Sequence, residues 1–279
     1  MERIKQAIEK VKSQNFGGPD RTQSRPSNQD KVTGPRPFKS YEELADIRYD
    51  YTRVVKLRKE HLEKSRIVAF DKSDPKCMTF DLLRTHVLQK MQENGWRTLA
   101  ITSPTPEAGK TVVAINLAMS IAQQTNKTAM LVDFDLRRPK VGAYLGIHME
   151  KSLNDLLDGT AELRDVLVNP DIPRLVVLPT KNSVKHSSET LSSKKTADLI
   201  KDLRERYHSR IVIFDLPPLL VTDDAIALLP QIDCVLMVVA NGMSTEHEIE
   251  DSLRLLPLEN LIGTVLNKAD ADPKAYYYD

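Results

Sequence analysis

The sequence predicts a doubly wound, mostly parallel α/β sheet flanked by helices. From residue 97 onward, short β-branched runs alternate with amphipathic patterns of helical period. Such alternation indicates parallel strands joined by crossover helices. We expect strands at 97–102, 128–133, 174–178, 210–215, 233–239 and 261–266. We expect helices near 110–124, 152–158, 187–206, 222–229 and 245–256. Ligands of such sheets bind where the strands end, so residues at the strand ends are the functional candidates.

The N-terminal part predicts a helical, partly disordered extension. Residues 1–39 are basic and rich in Gly, Pro, Ser, Asn and Gln, which predicts a mostly disordered segment. Residues 40–75 begin with a capping-box pattern and predict a charged helical extension and linker. Its sparse apolar positions are Leu44, Ile47, Tyr51, Val54 and Leu62. We expect the main domain over 76–269, opening on a helix that starts at Asp74-Pro75 and ends at Asn94-Gly95, and a tail over 270–279.

Composition excludes several classes of protein. The chain has 279 residues, a net charge of +1 and two cysteines, which are too few for a disulfide framework. Its six histidines lack metal-ligand spacing, so no zinc site is expected. No apolar run approaches the ~20 residues of a membrane span, and the first residues do not resemble a signal peptide. We therefore expect a cytoplasmic protein. Nucleic-acid binding has no support beyond the basic N-terminus.

The segment between the first main strand and its helix predicts a phosphate-binding loop. It reads Ser103-Pro104-Thr105-Pro106-Glu107-Ala108-Gly109-Lys110-Thr111. Backbone N–H groups at such a helix start surround phosphates, the lysine reaches the β- and γ-phosphates, and the hydroxyl binds Mg²⁺. Pro104 stands where the motif prefers Gly, so the strand and helix context carries much of the argument. We expect Glu107, Ala108, Gly109, Lys110, Thr111 and Val112 to contact the nucleotide.

Two further strands end in carboxylates. The run 130–132 leads into Asp133-Phe134-Asp135, and the run 211–214 leads into Asp215. A carboxylate at the end of a buried strand is costly unless a cation meets it. Asp215 is therefore interpreted as a Walker B acid that meets Mg²⁺. Asp133 or Asp135 has the chemistry to accept a proton from an attacking hydroxyl, and the alternative is that one of them caps the strand or pairs with Arg137.

The C-terminus holds the candidate acceptor. Tyr276, Tyr277 and Tyr278 cluster in the last four residues, after a polar stretch that has little core to fill. Phosphorylation of these tyrosines is one explanation, and packing on a neighbouring subunit is the other.

Together these motifs resemble those of the bacterial tyrosine autokinases of capsule and exopolysaccharide biosynthesis, in their stand-alone form, within the MinD/ParA-like P-loop ATPases. Residues 131–139 resemble the Walker A′ element of that family, and 215–218 with 223–225 resemble its Walker B stretch. Residues 189–193 and 263–268 are also similar to segments of those kinases. The A′ element and the tyrosine tail are the most specific part of the resemblance.

The resemblance implies a site, cofactors and partners. ATP and Mg²⁺ would be bound with the help of Arg137 and Asn267, with Thr111, Asp135 and Asp215 near the metal. Lys110, Asp133 and Asp135 would be catalytic, and Asp133 would orient or deprotonate the tyrosine. The tail of one subunit would enter the site of the next in a homo-oligomeric ring. A membrane-bound polysaccharide chain-length regulator would activate the kinase at the inner face of the membrane, and other protein tyrosines would be further substrates.

One departure from the family concerns assembly. The oligomerisation helix of these kinases carries Glu, Arg and Arg at three-residue spacing, whereas this chain has Met78, Asp81 and Arg84. Only Arg84 matches, which puts the usual ring contact in doubt.

Three other functions remain open from the sequence. A MinD/ParA-like positioning ATPase shares the fold. Such ATPases usually carry an extra lysine early in the phosphate loop, and residues 104–108 of this chain contain none. A GTPase is suggested by Asn267-Lys268-Ala269-Asp270, which spells N-K-x-D. A non-catalytic adaptor would have lost self-assembly.

Overall fold

The computed structural model describes residues 52–123, 127–207 and 209–269. The basic segment 1–39, the first part of the extension 40–75 and the tail with Tyr276, Tyr277 and Tyr278 lie outside the described residues.

The described residues form one eight-stranded sheet, in the order β1-β4-β5-β3-β6-β2-β7-β8. All neighbouring strands are parallel except β4 and β5. The strands are β1 Arg53–Val54, β2 Thr98–Thr102, β3 Thr128–Asp133, β4 Val168–Asn169, β5 Leu175–Leu178, β6 Arg210–Asp215, β7 Cys234–Ala240 and β8 Leu261–Asn267. The predicted doubly wound, mostly parallel sheet is confirmed.

Ten α-helices are found among the described residues. They are α1 Lys59–Lys64, α2 Cys77–Glu93, α3 Lys110–Ala122, α4 Val141–Leu145, α5 Leu153–Asp158, α6 Leu163–Val166, α7 Ser187–Leu191, α8 Lys194–Glu205, α9 Asp224–Leu228 and α10 Glu246–Leu255. Short 3₁₀ turns follow at Leu229–Gln231 and Leu258–Asn260. None of the helices in this part of the chain is long and apolar enough to cross a membrane.

The core lies on both faces of the sheet. Side chains of a strand alternate between faces, so Leu131 joins one apolar cluster while Met130 and Val132 join the other. Helix α3 contributes the first cluster from Val113 to Ala122, and α8 and α10 supply the second. Because both faces are covered, the central strands are apolar between their end residues, as expected for a parallel sheet.

The extension before the main domain differs from the prediction. A continuous charged helix through Val54 is wrong, because residues 53–54 are a strand that pairs with β4. The backbone N–H and C=O groups of this strand form hydrogen bonds with β4 at the sheet edge. A helix with so few apolar positions would bury little surface and is less stable than this pairing. The helix α1 begins after it, and Leu62 and Ile67 are buried in the main core.

The predicted helix 187–206 is also wrong as a single element. It is divided into α7 and α8, because the Ser193 side chain accepts a hydrogen bond from the Thr196 N–H at 3.3 Å and caps a new helix there. The helix expected to end at Asn94-Gly95 does so as α2, with Gly95 at φ +69°.

Candidate nucleotide-binding site

The loop between β2 and α3 has the backbone of a phosphate cradle. Gly109 adopts φ +90° and Glu107 adopts φ +65°, both in the left-handed region. Lys110 and Thr111 then begin α3, and their side chains are buried. The first N–H groups of a helix lack intrahelical partners and carry the positive end of its dipole, so this turn is suited to bind phosphate.

The end of the edge strand holds this loop in place. The side-chain amide of Asn267, the last residue of β8, donates a hydrogen bond to the carbonyl oxygen of Ala108 at 2.8 Å. A Cβ atom at Gly109 would lie 2.1 Å from the Asn267 Nδ2 atom. Gly109 is therefore required by its backbone conformation and by this close approach.

Four side chains meet where three adjacent strands end. Residue Asp133 of β3 lies opposite Asp215 of β6, and Asp215 lies opposite Ile101 of β2. The Lys110 ammonium donates to Oδ2 of Asp135 at 2.8 Å and to Oδ1 of Asp215 at 3.4 Å. The Thr111 hydroxyl donates to the other oxygen of Asp215 at 2.7 Å. The strand ends thus bring the predicted lysine, hydroxyl and acids together.

Burial and charge shift the protonation of this cluster. Burial opposes the charged ammonium of Lys110, but the carboxylates of Asp215 and Asp135 outweigh it and raise the pKa of Lys110. Burial raises the pKa of Asp215 above its usual range, although Lys110 and the Thr111 hydroxyl act against that rise. The lysine is therefore charged. The raised pKa of Asp215 indicates that a further cation at the site would stabilise its carboxylate.

Asp133 has a distinct environment. Its Oδ2 accepts hydrogen bonds from the N–H groups of Lys140 at 3.1 Å and Val141 at 3.0 Å. Burial, and then the charge of Asp215, raise the pKa of Asp133 well above its usual value. Asp133 is thus the carboxylate most ready to hold a proton among the predicted site residues, and it also organises the start of α4.

Arg137 does not pair with Asp133 or Asp135, which was one of the alternatives from the sequence, but with Asp224. Its Nε atom donates to Oδ2 of Asp224 at 3.0 Å, and its side chain is 43% exposed. Asp224 lies at the start of α9, on the loop that follows the Walker B strand. The contact therefore connects the A′ loop to the Walker B loop.

The sequence reasoning missed Asp224 as a structural centre of the site. Its carboxylate is fully buried and also accepts hydrogen bonds from the hydroxyls of Ser187 at 2.6 Å and Ser188 at 2.5 Å. Burial favours the neutral acid, but these bonds and the Arg137 bond together lower the pKa of Asp224. In the sequence, the acidic pair 223–224 of the Walker B stretch was the only sign of this role, and it did not indicate which residues Asp224 would contact.

The other residues predicted to contact the nucleotide lie in the loop and in the first turn of α3. Glu107 is exposed, Ala108 is buried beneath the loop, and Val112 is half-buried in the first turn of α3. Pro104 also contributes, because its carbonyl oxygen accepts a hydrogen bond from the N–H of Leu220 in the Walker B loop at 3.1 Å. Proline at this position is compatible with the loop.

The donor set fits Mg²⁺ bound together with a triphosphate. Thr111, Asp135 and Asp215 offer oxygen atoms, the ligands that Mg²⁺ prefers. In the parts of the chain that the structure describes, no group of three or more His, Cys, Asp or Glu side chains is arranged to hold a metal alone. Mg²⁺ usually takes one or two carboxylates and completes its shell with phosphate oxygens and water, so the site matches that use.

The fold and site define a P-loop nucleotide-binding protein, and comparison with known proteins narrows the class. The family model described as an AAA domain (AAA_31) matches residues 97–254. The tyrosine-protein kinase CpsD of Streptococcus pneumoniae is 30% identical over 64% of this chain and 79% of its own length. The chain therefore belongs to the AAA-domain family and, within it, to the bacterial tyrosine-protein kinases.

Other similar proteins agree with this assignment. EpsB of Ralstonia nicotianae, named as a candidate tyrosine-protein kinase, is 32% identical over 74% of this chain. The chain spans 27% of the length of EpsB. The kinase domain of the Escherichia coli tyrosine kinase ETK has a TM-score of 0.67 and 27% identity, over 86% of this chain and 96% of that domain.

A further neighbour shares the fold alone. MinD of Pyrococcus horikoshii, complexed with Mg-ADP, has a TM-score of 0.52 and 22% identity, over 61% of this chain and 69% of its own.

Proposed function

We propose that this protein is an ATP-dependent, Mg²⁺-dependent tyrosine autokinase that phosphorylates Tyr276, Tyr277 and Tyr278. The observation that carries the proposal is the hydrogen-bonded cluster at the strand ends, in which Lys110 reaches Asp135 at 2.8 Å and Asp215 at 3.4 Å, and Thr111 reaches Asp215 at 2.7 Å. The family assignment supports the tyrosine as acceptor, since the geometry alone supports nucleotide binding of several kinds.

Each side chain has a role that follows from its position. The Lys110 ammonium and the first turn of α3 would hold the β- and γ-phosphates, with Asn267 keeping the loop in place. Thr111, Asp135 and Asp215 would hold the cation. Magnesium-bound ATP supplies the phosphoryl group and the cation that neutralises its developing charge.

Asp133 is the proposed proton acceptor for the tyrosine hydroxyl. Because its pKa is raised, it lies closer to neutral pH than that of an ordinary aspartate, and a general base is most effective when its pKa is near the working pH. Its hydrogen bonds to Lys140 and Val141 fix the carboxylate relative to the loop that follows β3. Arg137 would contribute to nucleotide binding while Asp224 holds it.

Assembly is proposed to use contacts other than the usual ring residues. Arg84 donates to Asp81 at 2.7 Å and to the carbonyl oxygen of Ser120 at 3.3 Å within its own subunit. Met78, three residues before Asp81, is 63% exposed. Arg84 is thus engaged internally, and we propose a homo-oligomer in which the tail of one subunit reaches another by a different contact.

The cellular setting is proposed from the family. We propose that a membrane-bound polysaccharide chain-length regulator activates this kinase and brings it to the inner face of the membrane. Phosphorylation of the tail would then regulate polymerisation and export of capsular polysaccharide or exopolysaccharide.

Phosphate mapping tests the activity. The purified chain is incubated with ATP and Mg²⁺, with and without the regulator's cytoplasmic segment, and phosphate is located by mass spectrometry. We expect phosphotyrosine at Tyr276, Tyr277 or Tyr278, lost in Lys110→Met. The matched control is Lys201→Met, which removes an exposed lysine of α8 outside the predicted site residues.

Other outcomes select the other functions. Release of phosphate without tyrosine labelling would indicate a MinD/ParA-like positioning ATPase. Turnover of GTP in preference to ATP would indicate a GTPase, and nucleotide binding without turnover in either condition would indicate an adaptor.

A further inference from the structure

A groove lies between helix α2 and the edge strand β8. It has a volume of about 340 Å³. The apolar side chains that line it are Leu83, Val87, Leu236, Ile262 and Val265. From α2, the exposed side chains of His86, Gln89, Lys90 and Glu93 line its rim. An apolar floor with charges of both signs at its rim favours a partner that carries apolar side chains together with polar or charged groups.

Strand β8 also presents an edge capable of pairing. It is the last strand in the order of the sheet, with β7 on one side. All seven of its residues are half-buried, whereas all seven residues of β7 are buried. The Thr264 hydroxyl is buried with no hydrogen-bond partner among the described residues. Edge strands carry unpaired backbone groups that accept an added strand, so this edge is suited to bind an extended segment.

We propose that the groove and the β8 edge bind the chain's own C-terminal segment, residues 270–279. This segment starts three positions after β8 ends at Asn267. Ten residues in extended form span up to ~33 Å. A strand of seven residues is about 23 Å long. The segment is therefore long enough to turn back and run along most of β8.

The chemistry of the segment matches the groove. Asp279, in the part of the segment that follows Pro273, is acidic and can pair with the exposed Lys90 at the rim. Tyrosine rings bury large apolar areas while keeping a polar hydroxyl, which suits the apolar floor and the Thr264 hydroxyl. Pro273 lacks an N–H donor, so pairing with the edge would begin after it and would include the tyrosines.

Docking in this groove would hold the acceptor tyrosines along the edge of their own subunit. Release of the segment would then precede its use as a substrate. The docking itself requires no phosphorylation. The docking proposal can therefore be wrong while the proposed kinase activity is right, and the kinase activity can be wrong while the docking is right.

Hydrogen exchange of the peptide 261–267 tests the proposal without nucleotide. We compare the full chain with the chain truncated after Ala269. We expect exchange at 261–267 to be about tenfold slower in the full chain. Exchange in β3 should be unchanged, which shows that the truncated protein is folded. A full-length variant with Tyr276, Tyr277 and Tyr278 changed to Ser should reproduce the faster exchange without truncation.

A charge-matched pair of variants locates the site. Lys90→Gln removes one positive charge from the groove, and Gln92→Glu adds one negative charge on an exposed position of α2 outside it. We expect Lys90→Gln alone to speed exchange at 261–267. Equal exchange in the full and truncated chains would overturn the proposal. Protection that rises with protein concentration would also overturn it, because it would identify a second copy as the occupant.

Discussion

Asn267, at the end of the edge strand, donates its side-chain amide to the carbonyl oxygen of Ala108 at 2.8 Å. This bond ties the last strand of the sheet to the phosphate loop, which lies far from it in the sequence. The loop is thereby fixed by residues that do not belong to its motif.

Removing this bond should weaken nucleotide binding. Asn267→Ala deletes one hydrogen bond of about 1 kcal/mol, and we expect ATP affinity to fall about five- to tenfold while the fold remains. Isothermal titration measures the change. Asn260→Ala, in the 3₁₀ turn just before the same strand, is the control and should bind ATP as wild type does. Unchanged affinity in Asn267→Ala would show that the loop does not depend on this bond.

Gly109 and Gly242 form a matched pair that separates strain from collision. Both have positive φ, +90° and +70°, but an added Cβ meets Asn267 Nδ2 at 2.1 Å only at Gly109, with nothing within 4 Å at Gly242. Alanine at either position costs ~1–2 kcal/mol for its backbone conformation. We expect Gly109→Ala to lose more stability than Gly242→Ala in urea unfolding, and to lose ATP binding that Gly242→Ala retains. Equal losses in both variants would contradict the close approach.

Asp224 should be important for stability although it is not a predicted ligand. Its buried carboxylate accepts bonds from Arg137, Ser187 and Ser188. Asp224→Ala removes the partner of the Arg137 and Ser187 donors, while Ser188 keeps its contact with Asp223, and should cost about 2–3 kcal/mol in urea unfolding. Asp223→Ala removes a neighbouring exposed carboxylate and should cost much less.

The sign of the pH dependence checks that assignment. The folded-state pKa of Asp224 is lowered from 3.8, so its contribution is present above about that pH and is lost as pH falls through the folded pKa. The stability difference between wild type and Asp224→Ala should therefore shrink in acid. A constant difference would contradict the role of the charged form.

The carboxylate of Asp133 should lower the stability of the folded protein at neutral pH while being required for phosphorylation. Its folded-state pKa is raised above 3.8, so its contribution to stability is full below that pH and falls as pH rises toward the folded pKa. Asp133→Asn mimics the neutral acid and should lose less stability than wild type as pH rises above about 3.8, measured by urea unfolding. It should also lose tyrosine phosphorylation. Asp158→Asn, at an exposed helix end, should keep the wild-type pH profile and activity.

Much of the fold follows from local pattern. Strands 128–133 and 210–215 were predicted with their observed bounds, because an apolar run ending in an acid has few other structures available. The two-residue strands at 53–54 and 168–169 were not predicted, since two residues show no periodicity and such strands form only by pairing with each other and, for 168–169, with β5. The division of 187–206 had a local signal in the serine pair 192–193, which was read as part of a helix.

The site divides in the same way. Lys110, Thr111, Asp135 and Asp215 could be placed together because parallel strands end at one edge of the sheet. The partner of Arg137 could not be placed, since Asp224 lies 87 positions away and only the packed loops bring the two together. Asn267 was expected near the nucleotide, but its bond to Ala108 depends on the close approach at Gly109.

The central claim is that Lys110, Thr111, Asp135 and Asp215 form one magnesium–triphosphate site. Isothermal titration of ATP with Mg²⁺ and with chelator, in wild type and in Asp215→Asn, tests it most directly. We predict that Mg²⁺ strengthens binding to wild type at least about tenfold and has little effect on Asp215→Asn, which keeps its metal-free affinity. The same Mg²⁺ dependence in both proteins would contradict the account.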